Sequence, residues 1–242
     1  MDLKGKVAII TGASRGIGRA VAHAYVDAGA AVVITARTEE ALNRVCAELL
    51  EKNGRVLAWA ADVSQNDQII ELVNATLAQF GQIDVLVNNA AVLGPSPRPA
   101  LLHYDEHTFS EVLRTNVIGP FLMTRAVLPH MLQRGSGSII NVTSGVASGR
   151  AYWGAYGVSK AALNALSRTW AEELRGTGVR VNIVNPGRTQ TQMLREAYPD
   201  EDVSGLPRPE DITPVFVWLA SDRSRDVTGG YFEAQEFRLP GV

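Results

Sequence analysis

Tyr156 and Lys160, in the stretch "YGVSK", stand four residues apart, which on a helix puts a phenol and an ammonium on one face. A phenol titrating near ~10 is a poor acid or base at neutral pH. A neighbouring ammonium stabilises the phenolate and lowers that pKa, which suits proton transfer to a developing alkoxide. Tyr152 has no such companion, because the residue four places on is Tyr156. A second chemical signal opens the chain. "TGASRGIG", residues 11–18, follows the apolar run "KVAII". Gly12 suits a tight turn with positive φ, Gly16 leaves room for a ligand beside the backbone, and Gly18 lets the next helix close on the sheet. The start of that helix offers unpaired N–H groups and partial positive charge to a pyrophosphate. The spacing is G-x-x-x-G-x-G rather than G-x-G-x-x-G, and a glycine triplet by itself also fits a plain tight turn.

The elements that must position these groups are legible. Apolar runs "KVAIIT", "AAVVITA", "RVLAWAA", "IDVLVNNA", "GSIINVTS", "GVRVNIVNP" and a last short one near "GGYFEA" read as strands. Between them lie helical stretches such as "GIGRAVAHAYVDAG", "EEALNRVCAELLEKNG" and "AYGVSKAALNALSRTWAEELRGTG", several closing on glycine. Alternation of this kind predicts an α/β fold with a parallel sheet joined by right-handed crossovers. Nearly all-apolar strands predict helices on both sheet faces. "GPSPRPA" and "AYPDEDVSGLPRPED" read as loops within one domain over residues 1–242, since periodic elements resume after each.

Composition narrows the function. A net charge of −2 supplies no basic field for nucleic acid or an anionic membrane. No apolar run approaches the roughly 20 residues of a bilayer span, and "MDLKGKVAII" reads as a first strand rather than a signal peptide. Cys46 is the only cysteine, so no internal disulfide forms, and a cytoplasmic setting is expected. His23, His103, His107 and His130 are scattered without ligand spacing, so no catalytic metal is expected.

"TGASRGIG", "NNAA", a serine after the fifth strand and "YGVSK" occur in this order, each behind its strand. The set resembles the short-chain dehydrogenase/reductase family over nearly the whole chain. The resemblance implies a three-layer, doubly wound Rossmann-like fold with a seven-stranded parallel sheet. It also implies a homodimer or homotetramer and a small carbonyl or alcohol substrate. It makes Tyr156 the proton donor and Lys160 a holder of the nicotinamide ribose. Ser144 would bond the substrate oxygen, and Asn116 in "LRTNVIG" would support a water-linked proton relay. Cofactor contacts are implied at Gly12, Ser14, Arg15, Gly16, Ile17 and Gly18, at Asp62 and Val63 near adenine, and at Asn89 and Ala90. "NPGRTQT" adds Pro186, Gly187, Thr189 and Thr191 near the carboxamide. NAD-specific members usually end the second strand with an acid. Here Ala36 stands in its place and Arg37 follows, with Arg15 as a second cation, so the expected cofactor is NADP(H). Glu39 and Glu40 are possible partners that would blunt Arg37.

The resemblance also implies a substrate lid over Thr191–Pro209. That segment is polar and holds Gly205 and prolines, so it is expected to bury little apolar area and to move without ligand. Met193, Leu194, Tyr198, Trp153, Tyr152 and Val146 either line an apolar pocket or belong to core and interface. Arg188 faces cofactor phosphate, an acidic substrate group or solvent. "NNAA" carries Ala91 where the family has glycine, and "TGGYFEAQEF" leaves the register of the last strand open. "RPEDITPVFVWLASD" resembles 3-oxoacyl-thioester reductases and many other members alike. A non-catalytic nucleotide-binding regulator and an NAD-dependent alcohol or polyol dehydrogenase are the alternatives.

Overall fold

The computed structural model describes residues 2–240. Strands and helices alternate as β1 (Val7–Thr11), α1 (Gly16–Asp27), β2 (Ala31–Ala36), α2 (Glu39–Glu51), β3 (Arg55–Ala60), α3 (Asn66–Phe80) and β4 (Val85–Asn88). They continue with α4 (Glu106–Leu113), α5 (Gly119–Arg134), β5 (Gly137–Val142), α6 (Gly154–Glu173) and β6 (Val179–Asn185). The chain closes with α7 (Gln192–Ala197), α8 (Pro214–Ala220) and β7 (Tyr231–Glu233). The seven strands form one parallel sheet in the order β3-β2-β1-β4-β5-β6-β7. Strand order reverses between β1 and β4, and a crevice opens there at the carboxyl ends of the strands.

Period-two alternation along the strands feeds two apolar layers. Ala8, Ile10, Val32, Ile34, Val85, Val87 and Ile140 meet α1, α2 and α8 through Val21, Tyr25, Leu42, Leu49 and Phe216. Val7, Ile9, Val33, Leu86, Ile139 and Val181 face α3, α5 and α6 through Ile69, Leu72, Met123 and Val127. Each fully buried aliphatic side chain contributes roughly 1.5–3 kcal/mol, which is why both faces are covered. The edges depart from the uniform burial expected of the strands. "RVLAWA" is only half-buried in β3, and β7 is largely exposed, because each has a neighbour on one side alone.

The open register at the carboxyl terminus resolves as Ile183↔Tyr231. The Gly230 N–H donates to Asn182 Oδ1 at 3.0 Å, and the ring of Phe232 meets Trp218 at 5.7 Å between centroids. Cys46 is half-buried against the first apolar layer. Among the described residues no helix is long and apolar enough to cross a membrane, and no three His, Cys, Asp or Glu side chains converge as metal ligands.

Candidate active site

The crevice is built around the glycine turn between β1 and α1. Gly12 has φ +65°, and a Cβ there would lie 2.8 Å from Ala90 Cα. A Cβ on Gly18 would lie 2.6 Å from Asn89 Nδ2. Gly12 is therefore required first by the close approach of the β4 end, and Gly18 first by the still closer Gly12 carbonyl, with Asn89 next. Asn89 Nδ2 donates to the Thr11 and Gly12 carbonyls at 2.9 and 3.1 Å. Thr11 Oγ1 accepts from the Asn89 and Ala90 N–H groups, each at 3.0 Å. Gly16 also has positive φ, at +55°. No side chain caps α1, so its first N–H groups face the crevice end unpaired by a capping side chain. We expect Gly12→Ala to destabilise the fold by about 1–3 kcal/mol, through left-handed strain and the clash on Ala90. A chemical-denaturation midpoint no lower than the parent's would contradict that account.

The other expected cofactor residues lie along the same sheet edge. Ser14 and Ile17 are half-buried in the turn, and Ile17 rests on the first apolar layer. Asp62 follows β3, its Oδ1 accepting from the Ser64 N–H at 2.8 Å, and Val63 is buried beneath Gly119. Beyond β6, Pro186 is buried, Gly187 has φ +68°, and buried Thr189 donates to the Pro186 carbonyl at 3.0 Å. Thr191 caps α7, its Oγ1 accepting from the Leu194 N–H at 3.1 Å. Arg37 is exposed at the end of β2 and makes no ion pair among the described residues. The partner for Glu40 is instead Arg44, at 2.6 Å. Arg15 is less free, since its guanidinium donates to the Gln192 carboxamide on α7.

Tyr156 and Lys160 lie one turn apart on the buried face of α6. Ser144 stands just beyond β5, its Oγ 3.5 Å from the Val146 N–H it accepts. Burial pushes the Tyr156 phenol up to about 12, and a hydrogen bond with Ser144 opposes that rise. Burial brings the Lys160 ammonium down to about 8. Its Nζ donates to the Val142 carbonyl at 2.8 Å and stands 5.5 Å from the centre of the Tyr156 ring. The expectation of a lowered phenol is thus corrected. Desolvation by burial sets the direction, and the Ser144 hydrogen bond only opposes it.

Asn116 is fully buried in a π-helical turn, Arg114–Ile118, between α4 and α5. Its carboxamide accepts from the Val92 N–H at 2.9 Å and donates to the Val92 carbonyl at 2.9 Å. It also donates to Ser159 Oγ, at 3.0 Å. Asparagine in a five-residue run "RTNVI" carries no helical-defect signal, so this wide turn is invisible in the sequence.

The Thr191–Pro209 segment is more built than its polarity implied. It contains α7, buries Ala197 and Val203, and brings Met193 and Tyr198 onto Leu93, Val146, Trp153 and Tyr156. Arg188 pairs with Glu201 and lies over the Tyr198 ring, 4.6 Å from its centre. Two expected pocket residues are displaced. Tyr152 is 64% exposed with φ +67°, and Leu194 lies outside the cluster. Arg98, in the loop after β4, was not anticipated at all, yet its guanidinium carbon sits 4.1 Å from the Trp153 ring centre and 4.9 Å from that of Tyr198.

A glycine turn at the strand-order switch point of a doubly wound sheet is the usual place for a nucleotide, and comparison with known proteins supplies the family. The family model described as short chain dehydrogenase matches residues 6–202. The chain belongs to the short-chain dehydrogenase family and is an oxidoreductase of that kind. It is 38% identical over 239 residues to a 3-oxoacyl-acyl-carrier-protein reductase of Thermotoga maritima, covering 95% of this chain and 96% of that protein. A short chain dehydrogenase structure from Pseudomonas syringae superposes with TM-score 0.93 at 41% identity, covering 97% of this chain and 96% of the other. One from Escherichia coli CFT073, complexed with NADPH, superposes with TM-score 0.91 at 34% identity, covering 97% and 98%.

Proposed function

We propose that this protein is an NADP(H)-dependent oxidoreductase that reduces a carbonyl to an alcohol, or runs the reverse reaction. The observation that carries the reading is half-buried Ser144 bonding the buried Tyr156 phenol, with buried Lys160 one turn along α6 and the phenol held in its protonated form. Gly12, Ser14, Arg15, Gly16, Ile17 and Gly18 would border the phosphates, with Arg37 as the free cation for a 2′-phosphate. A nicotinamide cofactor, when bound, supplies or accepts the hydride. Tyr156 then gives its proton to the carbonyl oxygen, and Ser144 bonds that oxygen and steadies its growing charge. Lys160 provides the positive charge that tempers the phenolate left behind. Asn116 holds the Val92 backbone and Ser159 on α6, and so keeps the β4 loop and α6 in register. The NADPH-bound neighbour supports the choice of cofactor, and the 3-oxoacyl relative makes a thioester-linked carbonyl one substrate to try.

The test is NADPH oxidation by the purified protein over acetoacetyl thioesters, diketones, quinones and sugars, with NADH in parallel. No turnover on any of them by a folded protein that binds NADPH would favour the regulator reading. A pH profile adds a second check. Lys160 is charged below about 8 and neutral above it. The kcat/KM for NADPH, which reports the free enzyme, should therefore hold steady below that pH. It should fall as pH rises through it, by up to about tenfold per unit. A profile that rises through this range would contradict a role for the ammonium.

A further inference from the structure

Arg98 packs on two touching aromatic rings beside the candidate active site, its guanidinium carbon 4.1 Å from the centre of Trp153 and 4.9 Å from that of Tyr198, whose centroids are themselves 5.9 Å apart. Trp153 in turn meets the Tyr156 ring at 5.7 Å between centroids. One aromatic side chain therefore separates the cation from the proton donor. Stacking occupies the faces of a guanidinium and leaves its N–H edge to find acceptors. Here one nitrogen of that edge, Nη1, is buried without a hydrogen-bond partner among the described residues. Two carboxylates of the Thr191–Pro209 segment have partners of their own, Glu201 in Arg188 and Glu196 in Gln192. A buried donor without an acceptor is costly, and a carboxylate offers this fork two parallel bonds.

We propose that Arg98 is a specificity-determining residue that receives the carboxylate of the substrate. The substrate class is then an oxo acid whose carbonyl and carboxylate are a few carbons apart. This rests on the carbonyl-reductase reading above. Trp153 touches both Arg98 and Tyr156, and that nearness suits such a molecule. The phosphates of a carrier thioester lie many bonds from the reacting carbonyl and do not fit it.

The experiment compares acetoacetate and levulinate with their methyl esters, and with acetoacetyl-coenzyme A, using wild-type protein, Arg98→Met and Arg98→Lys. Wild type should favour an acid over its ester by about tenfold or more in kcat/KM. Arg98→Met should abolish that preference through KM and leave the esters within about threefold of wild type. Arg98→Lys should retain part of the preference. Equal losses on acid and ester in Arg98→Met would overturn the proposal and make Arg98 a prop for Trp153 and Tyr198. A wild-type preference for the esters, or for the thioester independently of Arg98, would also overturn it. If Arg98→Met does not fold, the wild-type ratio and Arg98→Lys decide. If no compound is reduced, calorimetric binding of glutarate in the presence of NADP⁺ separates the two readings. Binding lost in the Arg98 variants keeps the anion site while the reaction fails, and no binding to wild type ends the proposal.

Discussion

Tyr156→Phe is expected to lose turnover by at least ~100-fold while keeping NADPH affinity almost unchanged. The ring is 8% exposed and packs on Trp153, so phenylalanine preserves the wall of the pocket and removes only the hydroxyl. In this protein the phenol sits at about 12, so it is overwhelmingly protonated at neutral pH. That is the form required to give a proton to a nascent alkoxide. The same burial makes the phenolate costly, so the charge of Lys160 matters most after the transfer. Steady-state rates beside NADPH binding by fluorescence make the comparison. Turnover close to wild type in the phenylalanine variant would remove Tyr156 from the chemistry.

Arg37→Ala should weaken NADPH by about 10- to 150-fold and leave NADH nearly unaffected, the effect of losing one charge-assisted phosphate contact. Arg37 is the informative position because it is exposed at the end of β2 and is not paired to Glu39 or Glu40. Arg15→Ala should show a smaller discrimination, since that guanidinium is already bonded to Gln192 on α7. Matched dissociation constants for the two cofactors provide the measurement. A wild-type protein that used NADH better than NADPH would overturn the reading of Ala36 and Arg37.

Local pattern in the sequence determined the sheet, its strands and most of the candidate site. Strand periodicity and glycine stops are short-range properties, so the seven strands were legible, while the order that parts β1 from β4 came with the structure. Gly12, Tyr156 and Lys160 stood out by type and spacing, and Ser144 through the family resemblance. What only the tertiary structure decided involves partners distant along the chain. Gly12 owes its necessity to Asn89 and Ala90, more than seventy residues away, and Asn89 adds to the crowding that the Gly12 carbonyl already imposes at Gly18. Burial of the ring in the packed fold, rather than the helix spacing, sets the Tyr156 phenol, and Lys160 donates to the Val142 carbonyl. Asn116 lies in a wide helical turn because its carboxamide reaches Val92 and Ser159. In the lid, Glu201 pairs with Arg188, while Arg98 comes from the loop after β4 to pack on Trp153 and Tyr198. Those contacts depend on three-dimensional proximity, and spacing along the chain does not encode them.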